Sequence, residues 1–481
     1  MLGISEIIGY FSLFMVVLGI ASYFIAPLGR VMIKFLQAWF GHFSKEEIQK
    51  FIILGITFAF VIGIYWTLRP MKDAIFMSMV GKHNIPWAKL VSLCVLFPMV
   101  IVYSKLVDKF HRHKMLYVMA FMYAVATLAF GLLLWHPEYG LPNKVVADNR
   151  ILGWAWYVFV ESYGSLMVAL FWAFATDITS PDSAKRGFSI VVMLGQMGAI
   201  LGPLLITPLA GPTRWGSSAP VVMVCGGLIF LIILFVKIFM TVTPKSQLVG
   251  YSGVKAAKAE SEPGFLEGLY LLLSNWYLLG IFAIITIYEI IVTIIDFKFK
   301  SLVCDVCLDE SARTLYLGDY AVWVNVISFA CLMLGVSNIQ RRLGLRFSLA
   351  LMPFIIGGAI ATFYVSPVVS VVFWIMVGAK AFNYALNGPA MKQLYVPTSE
   401  EVKYKSQAWI ETFGSRSSKA AGSGINLLQT PFVNWFGAAG VGLHIAVCTY
   451  FSFGLLAAWF FVALYLGKTY DKAIKDDKVV C

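Results

Sequence analysis

The chain alternates between long uncharged stretches and short polar ones, and the length of the uncharged stretches predicts its elements. From Phe51 the run FIILGITFAFVIGIYWTL carries no charge and then meets Arg69, Lys72 and Asp73. As a helix it nearly crosses a hydrocarbon core of roughly 30 Å, which predicts a membrane span with a charged cluster at its mouth. A similar arrangement recurs where residues 282–295 run into Asp296, Lys298 and Lys300. Apolar length predicts spans near 51–68, 86–104, 115–135, 151–175, 188–210 and 219–240. After a polar linker at 242–265, six more follow near 268–293, 318–337, 347–365, 368–387, 408–430 and 441–466. An earlier apolar block, residues 7–27, is long enough to form an additional transmembrane helix or an interfacial one. The predicted organisation is an N-terminal segment (1–49), a six-helix half (50–241), the linker, a second six-helix half (266–467) and a tail (468–481). Two sets of six helices are the plan expected of a transporter with a site near the bilayer midplane.

Composition strengthens this picture. Sixty per cent of the 481 residues are hydrophobic, 13% are charged and the mean hydropathy is +0.81, outside the soluble range. The apolar blocks are about twenty residues long, not the ten-residue alternating segments of an outer-membrane barrel. The net charge of +12 does not imply nucleic acid, because Lys and Arg cluster in short loops between apolar blocks. Loops 28–50, 105–114, 178–187, 237–268, 338–346, 388–419 and 467–481 hold most of them, which places the linker and the C-terminus in the cytoplasm. The first apolar block lacks the basic start and cleavage site of a signal peptide. The seven Cys are irregularly spaced and give no disulfide scaffold; Cys304 and Cys307 form a CDVC pair in a predicted loop, half of a zinc site at most. Phosphate-loop and dinucleotide fingerprints are absent, as are catalytic triads and metal signatures, so neither an internal ATPase nor an enzyme is expected.

The candidate chemistry lies in ionisable residues within the spans, which are costly unless they face water, a partner or a ligand. Glu161 sits inside the fourth span, with Asp177 at its cytoplasmic end. It is read either as a member of a transport path or as a hydrogen bond that locks helices together. The same pair of readings applies to Lys380 and Asn383, and Lys380 has the further option of snorkelling to the interface. Arg69, Lys72, Lys298 and Lys300 are candidate anion ligands, since Arg offers a bidentate fork to phosphate and Lys a point charge. Asp73 and Asp296 would hold these bases in place. Trp66, Tyr65 and Phe297 provide aromatic faces for a base or sugar, although such residues also collect at membrane interfaces. Gly195, Gly198, Gly202, Gly422 and Gly424 are spaced for close helix contact. The loops TSPDSAKRGF (179–188) and TSEEVKYKSQAW (398–409) follow the fourth and tenth spans and form a faint internal repeat.

Together TLRPMKDA (67–74), IPWAKL with FPMVIVYSKLVDKF (85–110), LFWAFATDIT followed by AKRGF, DFKFKSL (296–302) and YVPTSEEVKYKSQAWIE with SSKAAGSG (395–424) resemble the nucleotide transporter family of intracellular bacteria and plastids. These ATP/ADP translocases are similar to the major facilitator fold. The resemblance runs from about residue 50 to 465 and implies an all-α polytopic protein with six plus six helices. It implies substrate-binding roles for Arg69, Lys72, Glu161, Asp296, Lys300, Lys405 and position 407, with Asp73, Asp177 and Arg186 in support; Lys380 and Asn383 are supporting candidates from their place within a span. Asp296 stands for a family Glu, and Pro70 for the first acidic residue of the Arg-Asp-x-Lys-Asp segment. Gln407 replaces a family Lys, which removes positive charge; either Lys405, two residues earlier, swings into the vacancy or the substrate is less charged than ATP, and the second reading, a less charged substrate or a broader range, is the one favoured. The N-terminal block is also atypical.

The expected function is transport of nucleotides by alternating access, as ATP/ADP-type exchange. The alternatives are a proton-coupled importer of a less charged nucleotide or other phosphorylated anion, and a membrane receptor or scaffold that does not transport. No cofactor is expected. The expected setting is a bacterial inner membrane, with a monomer in the lipid bilayer.

Overall fold

The computed structural model describes residues 44–480 except 110–111, 245–247, 249–264, 334–342, 367, 400–401, 403–405, 408–409, 411–413 and 477–478. The apolar block at 7–27 and most of the linker therefore lie outside the described residues. The regular elements of the described chain are all helices. In order, α1 is Lys45–Met79, α2 Ile85–Lys109, α3 Arg112–Trp135, α4 Ile151–Asp177, α5 Pro181–Ile206 and α6 Ser218–Val242. Then come α7 (Phe265–Ser274), α8 (Trp276–Val306), α9 (Glu310–Met333), α10 (Leu345–Val365), α11 (Val369–Phe382), α12 (Gly388–Gln393), α13 (Ser415–Leu427), α14 (Gln429–Phe436) and α15 (Ala439–Asp476). Ten helices among the described residues are long and apolar enough to cross a membrane.

The two charged clusters expected at helix mouths lie inside helices. Helix α1 starts at a capping box, in which the Ser44 hydroxyl accepts from the Glu47 N–H and Glu47 accepts from the Ser44 N–H. It then runs 35 residues to Met79, past Arg69, Lys72 and Asp73. Likewise α8 carries Asp296, Lys298 and Lys300 in its interior. Helices tolerate such residues at depth when side-chain partners satisfy them, and apolar length alone does not register those partners. Cys304 is thus helical, not in a loop. The span predicted at 268–293 is two helices, interrupted at Asn275, whose side-chain oxygen accepts from the Tyr277 N–H at 2.8 Å. The span predicted at 408–430 includes the short helices α13 and α14.

The contacts divide the described chain into two units: one within Met1–Gly81, Cys94–Ala257 and Cys307–Val326, the other within Lys82–Leu93, Lys258–Val306 and Ile327–Cys481. In the first, α1 packs chiefly on α5 and also on α4 and α6, and α3 packs on α6. The α1–α5 approach depends on glycine. A Cβ at Gly198 would fall 2.2 Å from the Ala59 carbonyl oxygen, and one at Gly202 would fall 2.4 Å from that of Gly63. Small residues let the two backbones meet, since lipid supplies no hydrophobic drive between helices. In the second unit, α8 packs on α13 and α15, and α10 on α15. A Cβ at Gly422 would fall 2.9 Å from the Ile290 carbonyl oxygen, whereas one at Gly424 would meet open space.

Candidate functional site

Each unit contains a cluster of ionisable side chains. In the first, Lys72 of α1 is buried and forms an ion pair and hydrogen bond with Glu161 of α4. Asp73 lies 3.8 Å from the same ammonium, and the Tyr157 ring sits 4.2 Å from it. One turn earlier, the Arg69 guanidinium lies over the Trp66 ring at 5.0 Å and near the Tyr65 ring at 6.0 Å. These aromatics therefore face a cation, which accounts for their position as well as interfacial anchoring does. Pro70 lies between the two bases and has no N–H to give the Trp66 carbonyl.

The second cluster is built on Asp296 of α8, a buried carboxylate approached by three ammonium groups. Lys300, one turn along the same helix, is at 2.8 Å. Lys89, near the start of α2, is at 3.1 Å, and Lys380 of α11 is at 3.5 Å. The four side chains are each at least four-fifths buried, and three of the four are positive. Lys380 does not snorkel; it ends at the carboxylate. It stands just before a π-helical turn, Asn383–Asn387, in which Asn383 accepts a hydrogen bond from the Asn387 amide at 2.8 Å. Such turns break helix register and recur at functional sites.

Lys298 does not join this cluster. Two residues from Asp296 and Lys300, it emerges on a different face of α8 and donates to Gln429 Oε1 at 2.5 Å. Its other contact is His444 Nδ1, at 3.0 Å. Asp177 is half-buried at the last position of α4, and Gln407 is half-buried in a helical residue. Lys405 and the side chain of Arg186 fall outside the described residues. The sequence reading missed Lys89 as a site residue because it was counted with a loop. The available signal was that it lies within the predicted 86–104 span, where a lone ammonium needs a partner. It missed Lys50 for a similar reason: that side chain is buried and donates to the Ile178 carbonyl at 2.6 Å. Among the described residues there is no group of three or more His, Cys, Asp or Glu able to hold a metal ion.

The resemblance is borne out by comparison with known proteins. Residues 28–470 match the family described as TLC ATP/ADP transporter. Among curated relatives, ADP,ATP carrier protein 1 of Rickettsia bellii (strain RML369-C) is 23% identical over 483 residues, covering 90% of this chain and 95% of the relative. ADP,ATP carrier protein 1 of Rickettsia typhi (strain ATCC VR-144 / Wilmington) is 25% identical over 485 residues, covering 90% and 96%. The crystal structure of the nucleoside transporter NupG aligns with a TM-score of 0.58 at 13% identity, over 86% of this chain and 99% of that one. A bacterial homologue of the iron transporter ferroportin, in an inward-facing state, aligns at 0.57 with 14% identity, over 87% and 100%. At these identities the solved structures speak for the fold alone, which is major-facilitator-like. The family match defines a multi-pass membrane transporter. The chain belongs to the TLC ATP/ADP transporter family, and nucleotides are the substrate class of that family.

Proposed function

We propose that this protein exchanges nucleotides of the ATP/ADP type, presenting one substrate site alternately to the two sides of its membrane. The observation that carries the reading is the Asp296 cluster. Three ammonium groups drawn from α2, α8 and α11 meet one carboxylate, so these four side chains hold two positive charges in excess. In a poorly screening environment such an excess favours a polyanion, and a phosphate tail offers several acceptor oxygens to separate ammonium groups. Asp296 keeps the lysines together before substrate arrives. Lys89 and Lys380 bring charge that Gln407 does not, which weighs toward di- and triphosphates over the less charged substrate expected from position 407 alone. In the other unit, Arg69, Lys72 and Glu161, supported by Asp73, are the proposed contacts of the first helix and the fourth. Lys405 and Gln407 remain proposed members of the substrate path on the family resemblance, with Asp177, Arg186 and Asn383 proposed in support.

The proposal extends to the setting. We place the protein in a bacterial inner membrane as a monomer, with the six-helix halves at 50–241 and 266–467 and with linker and C-terminus cytoplasmic. Arg69, Lys72, Lys89, Lys298 and Lys300 were counted with the outer loops, yet all lie within helices. Many bases counted with the cytoplasmic loops, such as Lys50, Lys237 and Lys468, are helical as well, so the proposed orientation rests on the bias along the sequence. The deciding experiment uses purified protein in liposomes, either empty or preloaded with ADP. Labelled ATP should enter preloaded vesicles and stay out of empty ones. Equal uptake into both contradicts exchange, and no uptake by a folded protein points to the scaffold reading.

A further inference from the structure

Lys298 is buried in α8 with neutral partners. Its ammonium donates to the Gln429 amide oxygen and to His444 Nδ1, and no carboxylate lies within ion-pair distance of it among the described residues. His444, also buried, is fixed as one tautomer by this arrangement. Nδ1 accepts from Lys298, so Nε2 carries the hydrogen and donates to the Ile425 carbonyl at 3.1 Å. Two bases 3.0 Å apart therefore share one proton. A second proton would set two cations side by side and remove the acceptor that Lys298 uses, while loss of the first leaves the pair neutral.

The surrounding charges are engaged elsewhere. On the elements packed against α8, Lys380 and Lys89 meet Asp296, Lys82 pairs with Asp305, and Lys419 lies 3.5 Å from Glu289. The remaining titratable group at the pair is the Cys448 thiol, 3.5 Å from His444 Nε2. A small, mostly apolar cavity of about 20 Å³ reaches Lys298, with Cys448, Thr449 and Ser452 as the other polar side chains on its wall. Lys298 is two residues from both Asp296 and Lys300, about 3 Å along the helix axis. Negative charge arriving at the Asp296 cluster thus favours the protonated pair, and the protonated pair favours the anion in return.

We infer that Lys298 and His444 form a proton-binding site that loads together with the nucleotide, so that a proton accompanies the phosphate groups through the transport cycle. This rests on the reading of the Asp296 cluster as the phosphate site. Its test is titration of the purified full-length protein with ATP in buffers of low and high ionisation enthalpy across a pH series. The wild type should take up as much as about one proton per ATP, with affinity falling by up to about tenfold per pH unit where the pair has lost its proton. Lys298→Arg keeps the donors and a permanent cation, and His444→Gln removes the second base. Lys298→Arg should bind ATP without proton uptake and with affinity that no longer follows pH, whereas His444→Gln leaves Lys298 to titrate without its partner base and should move the uptake to a different pH range; if His444→Gln does not fold, Lys298→Arg decides alone. Proton uptake that survives in Lys298→Arg overturns the inference, as does ATP binding by the wild type with no proton at any pH. Absence of ATP binding at every pH overturns the nucleotide reading itself, and this inference with it.

Discussion

The two buried clusters solve the same problem in opposite ways. In the first unit Lys72 has Glu161 in direct contact and Asp73 at 3.8 Å, so its charge is matched or more by carboxylates. In the second unit Asp296 serves three lysines and is outnumbered. Buried ion pairs gain little net stability over apolar packing, yet removing one partner leaves an uncompensated charge and is expensive. The matched cluster is therefore complete as it stands, and the outnumbered one is completed by an anion. The difference separates a cluster that chiefly holds helices together from one that chiefly binds.

Four substitutions sharpen or break that contrast. The largest effect is expected from Asp296→Asn, which leaves three ammonium groups without their carboxylate and should cost about 3–5 kcal/mol in a thermal unfolding series. ATP should restore most of the lost stability, because its phosphates replace the missing charge; a loss that ATP leaves untouched makes Asp296 a structural residue. Glu161→Gln should cost less, about 2–3 kcal/mol, since Glu161 is one-third exposed and water screens the change. Here ATP should restore little. Full recovery with ATP would show that the Lys72–Glu161 pair depends on the phosphates as strongly as the Asp296 cluster does and would erase the distinction. Arg69→Lys keeps the charge but loses the planar group over Trp66, a change of about 0.5–1 kcal/mol in ATP affinity. The smallest effect is expected at Gln407→Lys, below about 0.5 kcal/mol in ATP affinity, because Lys89 and Lys380 already supply the charge. A strong gain for ATP with AMP unchanged would instead show that position 407 limits the native site.

Much of this molecule was legible in its sequence. Apolar run length located the helices, because a bilayer demands a set number of residues from every span and the chain supplies little else. The family resemblance was legible in TLRPMKDA and DFKFKSL, and Lys72, Glu161, Asp296 and Lys300 stood out as charges where charge is costly. What was hidden was which of them meet. Nothing local pairs Lys89 with Asp296, 207 residues away, or separates Lys298 from Lys300. The helical turn makes that second distinction, sending residues two apart to different faces. Run length also misplaced the helix ends: it stops at the first charges, whereas α1 and α8 continue past them, with side-chain partners for Lys72, Asp296 and Lys300.

The most direct test of the central claim is the ladder of affinities for ATP, ADP, AMP and adenosine, measured on the wild type and on Lys89→Ala, Lys300→Ala and Lys380→Ala. Each Ala variant should weaken ATP by about 1–3 kcal/mol, weaken ADP and AMP progressively less, and leave adenosine unchanged. An equal loss for all four ligands in all three variants would contradict the account, because it would mean that the lysines around Asp296 hold the helices and not the phosphates.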